Sequence, residues 1–111
     1  MIVKAWNNGA YHVDGNGYGI KITSTDRDQF FNPEWATIFL ILDGKPEIVE
    51  ININKKSFWN ETCRELISKE IGKWLIENQL SQWPPRQPPR LELNKVGERN
   101  FLLKVLDQRR M

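Results

Sequence analysis

Apolar and polar positions alternate with a period of two along most of this chain, and with a longer period over one stretch. Tyr18, Ile20 and Ile22 face one way and Gly19, Lys21 and Thr23 the other, which predicts a half-buried strand over 18–23. Residues 35–42 form a β-rich apolar run. Asp43-Gly44-Lys45-Pro46 then supplies turn chemistry, and Val49, Ile51 and Ile53 alternate with Glu50, Asn52 and Asn54. Together these predict a β-hairpin. Shorter strands are expected at 2–6 and, more briefly, at 10–13, separated by Asn7-Asn8-Gly9. Near the C-terminus, Leu91 and Leu93 alternate with Glu92 and Asn94, and Phe101, Leu103 and Val105 with Leu102 and Lys104, around a turn at 96–100, predicting two more strands.

Two segments read as helical. Ser24 or Thr25 can cap a short helical turn at about 25–31, with Asp26 and Asp28 near its unpaired N–H groups and Phe30 and Phe31 turned inward. Cys63, Leu66, Ile67, Ile71, Trp74 and Leu75 fall on one stripe of a long amphipathic helix spanning about 60–78. Ser57, Asn60 or Thr62 can cap that helix, Thr62 and Glu65 fit a capping box, and Glu65 and Lys69 form an i,i+4 pair on its wet side. Cys63 is expected to be a small core residue. Trp83-Pro84-Pro85-Arg86-Gln87-Pro88-Pro89-Arg90 then breaks all periodicity, and its prolines predict a stiff polyproline-II rod that holds Arg86 and Arg90 outward.

The expected fold class is α+β. A curled or partly closed, mostly antiparallel sheet of six to seven short strands packs on one long helix, because a flat sheet would leave apolar stripes uncovered. The 111 residues make a single domain, 1–111, with the proline segment 84–90 inside it and a polar tail at 107–111 expected to fray. Five Trp, five Phe and two Tyr are too much apolar area for a disordered chain. No apolar run approaches the roughly 20 residues that cross a bilayer, so no membrane association is expected. A single cysteine excludes an internal disulfide, and residues 1–6 do not look like a signal peptide, so a cytoplasmic location is expected.

Catalytic and ligand motifs are sparse. Gly15, Gly17 and Gly19 imitate a phosphate loop, but a strand rather than a helix follows them. Asp14 and Asn16 begin like a calcium loop, yet Tyr18 and Thr25 stand where further oxygen ligands belong. His12 is the sole histidine and would have to serve every acid–base or metal arrangement. The reading is therefore a non-enzyme with no cofactor and no metal.

Charge supplies a different signal. The net charge of +2 hides an uneven split: nine Lys/Arg face eleven Asp/Glu over 1–83, whereas seven face three over 84–111. Trp74 is core by spacing, and Trp35 and Trp59 are expected to pack beside the hairpin. Trp6 and Trp83 are less determined, and an exposed Trp near arginines can anchor a partner protein or stack a base. The candidate partner-binding residues are Trp83, Arg86, Arg90, Arg99, Arg109 and Arg110. The leading expectation is a small protein-interaction module anchored by the proline–arginine segment, whose Pro85-Arg86-Gln87-Pro88-Pro89-Arg90 matches a PxxPxR ligand pattern. The alternative is nucleic-acid binding, with the arginines on phosphates and Trp83 stacking. Both readings hold equally for a monomer and a homodimer.

Gly17-Tyr18-Gly19-Ile20-Lys21-Ile22, Asp26-Arg27-Asp28, Ser57-Phe58-Trp59, Ile71-Gly72-Lys73-Trp74-Leu75 and Trp83-Pro84 resemble a group of short bacterial proteins of no assigned activity. More distantly, short strands wrapped around few helices resemble in architecture the DNA-binding pseudobarrel of plant B3 domains and restriction-enzyme effector domains. That likeness is architectural only and transfers no DNA-contacting residue, since no recognition-loop motif of those domains matches here.

Overall fold

A computed structural model describes residues 1–106 of the chain; the expected tail at 107–111, with Arg109 and Arg110, lies outside the described residues. The described residues form β1 (Ile2–Asn7), β2 (Tyr18–Lys21), α1 (Ser24–Phe30), β3 (Thr37–Leu42), β4 (Ile48–Asn52), α2 (Lys56–Trp59), β5 (Glu65–Ile67), α3 (Lys69–Glu77), β6 (Arg90–Lys95) and β7 (Asn100–Val105). The strands make one seven-stranded sheet in the order β4-β3-β7-β6-β1-β2-β5. All pairs are antiparallel except β3 with β7, where Phe39–Leu42 run parallel to Asn100–Leu103. The edge strands β4 and β5 approach each other, so the sheet is nearly closed. The fold is α+β with a mixed sheet. No helix of the described residues is long and apolar enough to cross a membrane.

Alternation fills the interior. Val3 and Ala5, Tyr18 and Ile20, Ile38, Leu40 and Leu42, Leu91 and Leu93, and Phe101 and Leu103 all point inward and are buried. Short helices close the two ends. At one end, where β3 and β7 begin, Phe31 stacks on Phe101 at 4.6 Å and meets Phe58 of α2 edge-on at 5.4 Å. Arg27 of α1 is only 7% exposed there. Its guanidinium donates to the carbonyls of Phe58 and Asn60 and to the Asp28 carboxylate, and it lies 5.4 Å from the Trp59 ring. Each of these acceptors would lose a charged donor if Arg27 were removed, which ties α1 to the α2–β5 connection.

At the other end α3 lies across the opening. Trp74 is buried, and its Nε1 donates to the Asp43 carbonyl in the β3–β4 turn at 2.9 Å. This seating depends on two glycines. A Cβ on Gly72 would lie 2.1 Å from the Gly15 carbonyl oxygen, and one on Gly15 would lie 2.6 Å from the Lys69 carbonyl oxygen. Gly15 also holds φ at +93°, a region L side chains rarely adopt.

The long helix expected at about 60–78 is not formed. Its α-helical part is Lys69–Glu77 alone, capped by Ser68, whose Oγ accepts from the Glu70 N–H. Upstream, the Asn60 side chain accepts from the N–H groups of Thr62 and Cys63, so the Thr62–Glu65 capping box does not arise. Arg64 then takes φ +75°, and Glu65–Ile67 leaves helical geometry altogether to pair with β2. The free edge of β2 outcompetes local periodicity, because it offers ladder hydrogen bonds and burial for Leu66. Two smaller expectations fall with the helix. Cys63 is half-exposed in the loop rather than a core residue, and Glu65 pairs with Lys21 at 3.5 Å rather than with Lys69.

Elsewhere the correspondence is closer. The helical turn expected at 25–31 is α1, capped by Thr23, whose Oγ1 accepts from the Asp26 N–H, rather than by Ser24 or Thr25. Phe31 is buried, and Phe30 is half-buried. The β3–β4 hairpin forms as read, with Gly44 at φ +89° in its turn. The extended piece expected at 10–13 is absent. Asn7 Oδ1 takes the N–H groups of Gly9 and Tyr11, Asn8 Oδ1 takes that of Ala10, and Tyr11 sits at φ 54°.

The proline rod is also interrupted. The Gln87 N–H donates to the Pro84 carbonyl at 3.0 Å, and Arg86 sits at φ 64°. With Pro85 before it, this is the pattern of a type II turn, which wants glycine where Arg86 stands. Proline pre-sets the first central position, and closing the turn outweighs continued polyproline-II geometry.

Two predictions follow from these backbone constraints. In an open helix Gly→Ala stabilises by about 1 kcal/mol. Gly72→Ala is instead expected to destabilise by about 3 kcal/mol, because the new methyl meets backbone rather than space. Urea midpoints give the sign directly. Arg86→Gly is expected to raise stability by about 0.5–1 kcal/mol by relieving the left-handed strain, read by the same titration.

Candidate functional site

The residues singled out by sequence are spread over the surface. Trp83 is half-buried, edge-on to Tyr11 at 5.5 Å and to Tyr18 at 6.4 Å. The Tyr18 hydroxyl donates to the Ser81 carbonyl at 2.7 Å, and burial pushes its phenol above the ordinary value. Beside these rings Val13 is 94% exposed. Arg86 is exposed in the proline turn, and Arg90 is exposed at the start of β6. Arg99 lies past the far end of β6, in the β6–β7 turn, with its guanidinium 5.3 Å from the Phe39 ring. Six strand residues span about 20 Å, so Arg90 and Arg99 do not share a patch. Arg109 and Arg110 lie outside the described residues.

A different set is brought together by sheet order. On β1, Val3 and Ala5 point inward, so Ile2, Lys4 and Trp6 point outward. In register, Lys4 stands opposite Arg90 of β6 on one side and Lys21 of β2 on the other, and Lys21 stands opposite Glu65 of β5. Arg90, Lys4 and Lys21 thus form a cationic row across three neighbouring strands. Directly opposed residues in a sheet are about 4.5–5.5 Å apart, and like charges at that spacing repel. Among the described residues the row holds one ion pair, Lys21 with Glu65 at 3.5 Å, and the Lys21 side chain is 39% exposed.

The surrounding residues extend the charge. Arg64 projects toward this row from the loop before β5. Its Nε donates to the Ile22 carbonyl at 2.8 Å, and its Nη1 donates to the Glu61 carbonyl. Lys4, Lys21 and Arg64 line a groove of about 170 Å³ together with Ile2, Ile22 and Thr23. In the next row Glu92 faces Lys104 on one side and uncharged Ile2 on the other. Backbone pairing continues past Arg90, where the Ala5 N–H donates to the Pro89 carbonyl at 2.9 Å.

Alternation in residues 2–6 shows that Lys4 and Trp6 face outward. Nothing in the sequence shows that Arg90, more than eighty positions away, or Lys21 stands beside Lys4, because register between distant strands leaves no local trace.

The arrangement sets cationic side chains side by side along one line of the outer face. Among the described residues no cluster of His, Cys, Asp and Glu could hold a metal ion. Comparison of the chain with protein-family models, with curated proteins and with solved structures found no match.

Proposed function

We propose that the chain is a small non-enzymatic module that binds nucleic acid through its phosphates on the outer face of β6, β1 and β2. The observation that supports this most is the row Arg90–Lys4–Lys21, three cations in register with one carboxylate at its end. Opposed like charges weaken a sheet by about 0.2–1 kcal/mol per pair. A phosphate backbone laid across the row removes that repulsion and releases its own condensed counterions. The acidic balance of residues 1–83 does not oppose this reading, since Lys4 and Lys21 come from that part and meet Arg90 in space.

A second reading, docking of a partner protein, is favoured by the Tyr11–Trp83 ring pair beside exposed Val13. That surface is small and carries no organised charge. The proline turn beside it no longer offers the straight polyproline-II ligand that a PxxP groove requires.

Three to four phosphate contacts imply a log–log salt slope of about −2 to −4. Lys4→Ala with Arg90→Ala is expected to reduce that slope by about two, one for each lost contact, whereas Arg99→Ala leaves it unchanged. Fluorescence anisotropy with labelled oligonucleotides between about 50 and 300 mM salt measures it. Absence of binding at about 50 mM salt and tens of micromolar protein overturns the proposal.

A further inference from the structure

We infer that the nucleic acid taken up on this face is single-stranded, with Trp6 as the surface on which a base stacks. The inference rests on the nucleic-acid reading above. Its own observation is the position of Trp6. Trp74 belongs to the core, and Trp35, Trp59 and Trp83 pack against it; Trp6 does not. It projects from the outer face of β1, two residues beyond Lys4 and therefore about 6.8 Å along the strand from the cationic row.

Trp6 is half-buried, so part of its indole faces solvent. Opposite it on β2 stands Gly19, and beyond Gly19 on β5 stands Ile67, which is 44% exposed. Gly19 cannot carry a side chain, since a Cβ there would lie 2.3 Å from the Leu66 carbonyl oxygen. The approach of β5 thus imposes a bare position beside the indole, and the row Trp6–Gly19–Ile67 is a low apolar floor parallel to Arg90–Lys4–Lys21. Phosphates on one row and a base on the next is the combination used to hold unpaired strands.

The same surface is poorly shaped for a duplex. Reading a major groove takes a helix or a two-stranded ribbon that protrudes. Here α1, α2 and α3 lie at the barrel ends, and Ile2, Lys4, Arg90 and Ile67 are exposed on a face that no helix of the described residues covers. Bases stacked inside a duplex cannot lie on an indole; bases of a single strand can.

The test uses the full chain, a labelled oligothymidylate of about 15 nucleotides, and a duplex of equal length. The expected result is about tenfold tighter binding of the single strand. Trp6→Ala is expected to remove that advantage while changing duplex affinity by less than about twofold, and Trp6→Phe to keep most of it. Far-UV circular dichroism checks that the variants are folded. Independently of Trp6→Ala, quenching of tryptophan emission by oligothymidylate is expected in the unsubstituted chain and largely lost in Trp6→Phe. Equal or tighter duplex binding, an equal loss on both probes in Trp6→Ala, or undiminished quenching in Trp6→Phe overturns the single-strand inference. Indifference of both probes to Lys4→Ala with Arg90→Ala overturns the underlying nucleic-acid reading instead.

Discussion

The contact on which the architecture turns is backbone against backbone: Gly72 of α3 on Gly15 of the β1–β2 loop. Neither residue could carry a methyl group without striking the other's segment. Because both lack one, α3 settles across an open end of the sheet and brings Trp74 to the Asp43 carbonyl in a different hairpin. The Ser68 N–H donates to the Tyr18 carbonyl, so the start of α3 is also pinned to the start of β2. The third close approach, Gly19 on Leu66, extends the same tight seam along β2 and β5. A glycine-rich stretch that imitates a phosphate loop is in this chain a steric device.

The opposite end is held by charge rather than by close packing. Arg27 spends its guanidinium on two carbonyls of the α2–β5 connection and on Asp28, with the Trp59 ring beside it. A buried arginine is tolerable only when its donors are matched, and here main-chain oxygens match them. The Asp26-Arg27-Asp28 triplet is built around the arginine between the two acids. Asp26 starts the helix from its first turn, and Asp28 pairs sideways with Arg27.

Among the described residues, these two closures leave the outer surface of β6, β1 and β2 free of helices. The candidate site follows from that freedom. Interior positions of a small barrel are taken by side chains that fill it, so chemistry directed at a partner must come from the alternate, outward positions. Lys4, Lys21, Arg90 and Trp6 occupy those positions on three adjacent strands. Repulsion along the row works against sheet stability, and the proposed ligand supplies the missing counter-charge.

The sequence by itself determined which residues face inward. Period-two alternation in residues 18–22, 47–53, 91–93 and 101–103 is a local property, and those inward side chains do fill the interior, Val49 half-buried at its margin, whereas in the continuous apolar run 38–42 only the fold shows that Ile38, Leu40 and Leu42 are the inward set. The β3–β4 hairpin was legible for the same reason, since its turn and both its strands are contiguous. Tertiary structure alone decided the rest. Leu66, Ile67 and Ile71 fit a helical stripe as well as they fit a strand followed by a helix, and the vacant edge of β2 chose between the two. Four prolines suggested a rod, and one hydrogen bond from Gln87 to Pro84 made a turn. Charge counting pointed to the C-terminal quarter, but Arg90 and Arg99 are separated by the length of β6. Arg90 meets its cationic neighbours on β1 and β2 instead. Side-chain direction is set by the residue and its immediate neighbours, whereas neighbourhood across a sheet is set by strand order, which only the folded chain as a whole can minimise.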